Sequence, residues 1–441
     1  MYFYRVRKKV KNISFFRHKS TLNISAKNSI MIKIVVAVYC CKGFFNMNRF
    51  LTLLLCALLT FVLVGCSEPD KAENKTTDNS TEGDKTIMQF MDCFKKTPIV
   101  GELTSDCWGF ETVGKRDTDN GLEDKLIGNS DADGTRYCYW DGAIIKEDGK
   151  YYMIASRWDE SAGHGGWPAS KAILAVSDNL YGPYEDKGLI YPDVYEGYGH
   201  NVFPFLLQEG EEFDGKQMKY GLVLGDTFVN ELKGGIFLAE KVTGPWNFAG
   251  QMQIVAGEGT NGVFSLSNVG IVPTPEGGYI AYNRNGDISV SDSVYGPWTT
   301  KVENLWNKLP ELSGKWDVED PVMWYSDGLY HMIANRWDER KAYYMTSKNG
   351  IYGWEMRMGA AYTPESDFFT YEDGTVNRWN KIERPNVYME DGKVIAMTFA
   401  AIDVPKDDDK GNDAHGSKII VVSFDNDALN RFDENKLTIV D

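Results

Sequence analysis

From Tyr137 onward the chain alternates apolar and polar residues in short runs, broken by acidic-Gly or Gly-Gly pairs. These breaks fall at Glu147-Asp148-Gly149, Glu276-Gly277-Gly278, Asp327-Gly328 and Glu390-Asp391-Gly392. Short β-rich runs joined by such turns are hairpin signals. No stretch after residue 90 sustains a helical period, so the pattern predicts an all-β domain.

The runs recur as a unit. Tyr151–Glu160 reads YYMIASRWDE and Tyr330–Glu339 reads YHMIANRWDE, identical at eight of ten positions and 179 residues apart. A Gly-Pro-aromatic element recurs at Ser177–Glu185, Ala239–Asn247 and Ser291–Thr299, with a weaker copy at Ser347–Glu355. Ordered along the chain, these elements give five units beginning near Asp141, His200, Asn268, Glu319 and Glu383. Five units of about four strands suit a five-bladed β-propeller, which leaves few exposed strand edges. A pair of β-sandwiches is the runner-up, and the repeated Gly-Pro-aromatic element argues against it. Residues 91–135 are expected to form a short N-terminal lead-in packed on the last blade, within a domain spanning 91–441.

The N-terminus has a different character. Phe50–Val64 is one apolar run of signal-peptide length that follows Arg49 and runs into Gly65-Cys66, giving Leu63-Val64-Gly65-Cys66 at its end. That ending resembles a bacterial lipobox, which implies cleavage before Cys66, lipid on its thiol, and a place in the cell envelope at the outer membrane. An uncleaved membrane anchor is the alternative. Residues 47–65 are then the signal peptide, with Met47 as the natural start, and residues 1–46 are upstream sequence outside the fold. Residues 66–90 hold the lipidated cysteine and a polar tether. Cys93, Cys107 and Cys138 allow at most one disulfide, whose pairing the sequence leaves open.

Composition sharpens the picture. Residues 1–65 carry eleven Lys/Arg and no Asp/Glu, leaving 36 basic and 63 acidic residues from Cys66 onward, a net charge of about −27. Such a surface repels phosphate backbones and argues against nucleic acid as a partner. Twelve Trp and 24 Tyr favour a surface that stacks on flat ligands such as sugar rings.

In a propeller the first strand of each blade lines the central funnel. Here those strands open with Trp140-Asp141-Gly142, Gly199-His200-Asn201, Ser267-Asn268-Val269, Glu319-Asp320-Pro321 and Glu383-Arg384-Pro385. Five polar openings in register describe the rim of a site. Arg157 and Arg336, inside the repeated Arg-Trp-Asp-Glu, read as structural. Trp140 and Trp167 are candidates to stack on a sugar face.

The pattern of Asp141 ahead of IIKEDGKYYMIAS, and of Glu319-Asp320-Pro321 ahead of VMWYSDGLYHMIAN, resembles glycoside hydrolase family 43 over roughly residues 135–430. The resemblance implies an inverting glycosidase that needs no cofactor, with Asp141 as base and Glu319 as acid. Asp320, at the position of a family Gly, is the alternative acid. Trp140, His200, Asn201, Asn268, Glu383 and Arg384 would contact an oligo- or polysaccharide. Two departures stand out: Asn268 occupies the place of an expected Asp, and Asp320 that of the Gly. Some relatives hold a calcium ion in the axial channel beside a histidine at a place comparable to His415; a solvated loop His is the plainer reading. Two rival functions remain open. One is a non-catalytic glycan-binding propeller, and the other a polysaccharide lyase using His200 and Tyr198.

Overall fold

The computed structural model describes residues 88–103, 118–123, 136–413 and 415–434. Cys66, the apolar run before it, the tether up to Ile87 and Cys107 lie outside these residues.

The acidic-Gly pairs form the hairpin turns they predict. Asp148-Gly149, Asp327-Gly328 and Asp391-Gly392 have positive φ at both residues, as does Gly277-Gly278. This is the backbone twist that a tight hairpin between right-twisted strands requires. Each turn joins the first two strands of a blade.

Five antiparallel blades result. Blade one comprises Tyr137–Glu147, Lys150–Asp159, Lys171–Ser177 and Glu185–Leu189. Blade two comprises Val202–Leu206, Tyr220–Leu224, Gly235–Ala239 and Asn247–Gln251. Blade three comprises Gly270–Pro273, Tyr279–Tyr282, Ile288–Ser291 and Trp298–Val302, with Ile254–Ala256 added in parallel at its outer edge. Blade four comprises Val318–Ser326, Leu329–Arg336, Lys341–Ser347 and Glu355–Met356. Blade five takes Lys381–Glu390, Lys393–Ile402 and Ser417–Ser423 from the C-terminal end of the chain. Its fourth strand is Leu122–Glu123, paired with Ile419 and Lys418. The first strands pack around a closed ring, one to two to three to four to five and back to one. The domain is thus an all-β, five-bladed propeller.

The described residues ahead of blade one pack on blade five. Phe90 and Cys93 are buried against Phe424 and Phe432. Asn120 exchanges two hydrogen bonds with the Val421 backbone, at 2.9 and 2.8 Å. The C-terminal helix Asn426–Glu434 buries Leu429 and Phe432 in the same cluster. Blade five is thus completed by an earlier segment of the chain, and the short Leu122–Glu123 strand forms its outer edge.

The core lies between blades. Ile144, Met153 and Ile173 of blade one meet Tyr388, Ala396 and Ile419 of blade five. Val223, Ile236 and Leu238 of blade two meet Ile271, Tyr279 and Trp298 of blade three. Each fully buried aliphatic or aromatic side chain contributes about 1.5–3 kcal/mol, so five such seams fix the ring and hold the first strands rigid. Arg157 pairs with Asp186, and Arg336 with Asp317 and Glu339, so both repeated arginines are structural.

Candidate active site

The five first strands open on a shared conformation. Asp141, Asn201, Asn268, Asp320 and Arg384 all have φ between +46° and +68°. In blades one, four and five this residue sits at a bulge, where the pairing slips by one. A bulge re-aims its side chain, and Asn and Asp tolerate the left-handed region best. Four of the five are Asn or Asp. In blades two, four and five the equivalent residue is Asn201, Asp320 and Arg384, each one position later than the unit starts His200, Glu319 and Glu383 taken from sequence.

These residues form a buried charge network. Arg384 Nε donates to Asp141 Oδ1 at 2.6 Å, and its Nη1 donates to Asp320 Oδ1 at 2.8 Å. Asn268 Nδ2 donates to the same Asp320 oxygen at 2.8 Å. Asp141 Oδ2 accepts from Ser156 Oγ and from the Val202 N–H. Burial works against the charge on Arg384, but Asp141 and Asp320 outweigh it and raise the guanidinium above its usual value. Burial likewise works against the Asp141 carboxylate. Arg384, His200 and the two hydrogen bonds overcome it and hold its pKa low. Holding an arginine at positive φ costs about 1–3 kcal/mol, and the forked ion pair is what holds it there.

Above this network is a cavity of about 300 Å³. Trp140, His200, Glu319 and Glu383, each one residue ahead of a network position, line it. Asn201, Asn268, Asp320 and Arg384 also reach it, whereas Asp141 is fully buried and does not.

The carboxyls differ sharply. Glu319 lies 3.0 Å from Arg284, and its pKa is pushed up to about 8. Burial is the main cause, and repulsion from Asp320 and Glu383 adds to it against Lys406 and Arg284. Glu383 is ion-paired with Lys406 and lies 3.7 Å from Lys381. One oxygen each of Glu319, Asp320 and Glu383 lies within 4.8 Å of the others, a spacing that admits a cation. Arg284, Lys406 and Arg384 already supply counter-charge there.

His200 is buried, 3.0 Å from Ser170 Oγ and packed against Trp158 and Trp167. Burial lowers its pKa, against Asp141 and Asp226, so the ring is neutral at pH 7. Tyr198 packs on Phe228 under Lys171 and does not line the cavity. His415 Nδ1 is 2.9 Å from Asp403 Oδ2, also away from the cavity.

Several lining residues were not singled out from sequence: Asp226, Arg284, Trp337, Lys406 and His164. Asp226, Arg284, Trp337 and Lys406 follow the end of a blade's second strand. In a hairpin that end returns beside the start of the first strand, so register alone could have found them. Asp226 is the most informative. Its Oδ2 accepts from Asn201 Nδ2, from Ser267 Oγ at 2.9 Å and from the Asn268 N–H at 3.1 Å. No described residue donates to its Oδ1. Gly225 makes this approach feasible, because a Cβ there would lie 2.9 Å from the Asn268 nitrogen. At the rim, Trp167 is 40% exposed, and Trp316 stands edge-on to Trp337 at 4.8 Å.

No family model and no curated protein matches the chain. Solved structures do resemble it. A thermostable family-43 glycoside hydrolase is 14% identical over 68% of this chain and 91% of that one, with a TM-score of 0.41. A family 117 glycoside hydrolase of the marine bacterium Zobellia galactanivorans is 15% identical over 75% and 90%, at 0.44. A family 43 β-1,3-galactosidase, solved with galactodeoxynojirimycin, is 15% identical over 72% and 96%, at 0.42. Each is a likeness of fold at low identity.

Proposed function

We propose that this propeller is a glycoside hydrolase that cleaves plant or algal polysaccharide fragments by single displacement. The observation that carries the reading is Glu319, a cavity-lining carboxyl raised to about 8 by burial and by Asp320 and Glu383, despite Arg284 at 3.0 Å. A carboxyl that keeps its proton at pH 7 can deliver it to a leaving oxygen.

The reaction needs a second carboxylate to draw a proton from water. Asp141, the expected base, has both oxygens engaged and lies outside the cavity. We assign it to anchoring Arg384. Asp226 lines the cavity, and among the described residues its hydrogen bonds all go to Oδ2, so we give it the role of base. Glu319 protonates the glycosidic oxygen as the bond to the anomeric carbon breaks. Water adds to that carbon from the other face, and its proton passes to Asp226. Trp167 and Trp337 offer sugar-stacking faces at the rim. A cavity of about 300 Å³ is at the small end for ligand sites, which supports recognition of a short sugar stretch. Lipid on Cys66 and the tether after it would hold the domain at the outer membrane of the cell envelope.

A glycan panel tests the reading. The protein is incubated with arabinan, arabinoxylan, galactan and sulfated or uronate-rich algal polymers. Released saturated sugar supports hydrolysis. Product absorbing in the ultraviolet would instead mean lyase chemistry, and binding without product a glycan-binding module.

A further inference from the structure

Outside the funnel cavity, a blade-one loop and a blade-five loop meet backbone to backbone. Two glycines permit the contact. A Cβ on Gly163 would lie 2.4 Å from the Asp409 carbonyl oxygen, and one on Gly411 2.4 Å from that of Glu160. Both have positive φ, +58° and +77°.

Three carboxyls converge on this seam. One oxygen each of Glu160, Asp409 and Asp413 lies within 4.8 Å of the others. Glu160 is 2% exposed and Asp409 4%. Glu160 Oε2 accepts the Asn412 N–H at 3.1 Å and has Arg136 at 3.8 Å. Glu160 Oε1 is buried and accepts no hydrogen bond. Asp409 Oδ1 accepts the Gly411 N–H at 3.1 Å, and the His164 N–H also acts on this carboxyl. Asp413 accepts the N–H groups of His415 and Lys410 at 2.8 and 3.1 Å. The Lys410 ammonium turns away to the Asp407 carbonyl. The three carboxylates face the Arg136 guanidinium, held at a distance, and the His415 ring, whose pKa Asp403 raises most and Asp413 and Asp409 raise further. Burial raises the pKa of Glu160 and Asp409, and repulsion within the cluster adds to it.

A buried carboxylate oxygen without a donor is unfavourable unless a cation meets it. The donors here are all oxygens, and the carbonyls of Glu160, Ser161 and Asp409 run through the same seam. That set suits calcium, which takes about six to eight oxygens in adaptable geometry, better than magnesium with its strict octahedron. We propose that Glu160, Asp409 and Asp413 bind one calcium ion that clamps the blade-one loop to the blade-five loop. None of the three residues lines the funnel cavity. The clamp has a consequence for that cavity. The blade-one loop carries His164, Gly165 and Trp167 of its wall, and the blade-five loop carries Lys406 and Asp407. The inference does not depend on the reaction assigned above.

The test uses the intact protein stripped with a chelator, then titrated calorimetrically with calcium or magnesium chloride and followed by thermal unfolding. The expected result is one calcium per chain and a higher Tm with calcium. Glu160→Gln and Asp413→Asn should each weaken calcium binding roughly tenfold or more. In chelator, Glu160→Gln should be at least as stable as the wild type, because it removes a repelled charge. A merely structural role for Glu160 would give the opposite. Absence of both heat and Tm shift in the stripped wild type would overturn the site. So would unchanged affinity in the variants, and magnesium binding as tight as calcium would overturn the ion. If Glu160→Gln does not fold, the more exposed Asp413→Asn carries the affinity test.

Discussion

Replacing Glu319 by Gln should change how stability depends on pH. In the folded protein the carboxyl titrates at about 8, against 4.5 for an unperturbed Glu. Between those values the folded state holds a proton that the unfolded chain has lost, so stability falls as pH rises. Integrating the two titrations from pH 6 to pH 9 gives a loss of about 2.5 kcal/mol from this one group. Gln keeps the size and one polar oxygen but cannot ionise. Urea unfolding of wild type and Glu319→Gln at both pH values reads Glu319 together with the Asp320 and Glu383 carboxyls it interacts with, because titrating groups remote from it cancel in the comparison. The wild type should lose about 2.5 kcal/mol more than the variant. Equal losses would mean that Glu319 is not held protonated, and the argument for it as proton donor would fall.

Other outcomes follow from the buried network. Arg384→Met strands Asp141 and Asp320 without counter-charge and should cost about 3–5 kcal/mol in denaturant unfolding. Asn268→Asp would set a carboxylate against Asp320, now its hydrogen-bond acceptor at 2.8 Å. It should lower stability at pH 8 by about 1–3 kcal/mol, and less at pH 5, where a proton can be shared. Asp226→Asn should lower kcat by about a hundredfold or more with little change in Tm, whereas Asp141→Asn should lower Tm first. Activity should also decline as pH rises through about 8, where Glu319 loses its proton.

The fold was readable because its signals are local. Asp-Gly turns, alternating strands and the Gly-Pro-aromatic element each report on a few neighbouring residues, and their repetition counts the blades. Glu319, Asp320 and Arg384 were found because strand openings in a propeller converge by symmetry. The pairing among them was not readable. Nothing near Asp141 in sequence says that Arg384, 243 residues away, will occupy its Oδ1. Asp226 was missed for a related reason. It closes a second strand, where a lone Asp before a loop looks like an ordinary turn residue. The meeting of Asp409 with Glu160 was not readable either, because Glu160 belongs to the repeated Arg-Trp-Asp-Glu of another blade.

The most direct test of the central claim compares two substrates of the sugar that the glycan panel identifies. One is the natural glycoside, whose leaving oxygen needs a proton. The other is a nitrophenyl glycoside, whose leaving group departs without one. If Glu319 is the proton donor, Glu319→Gln should lose about a hundredfold or more in kcat/KM on the natural substrate and little on the activated one. An equal loss on both, or none on either, would contradict the account.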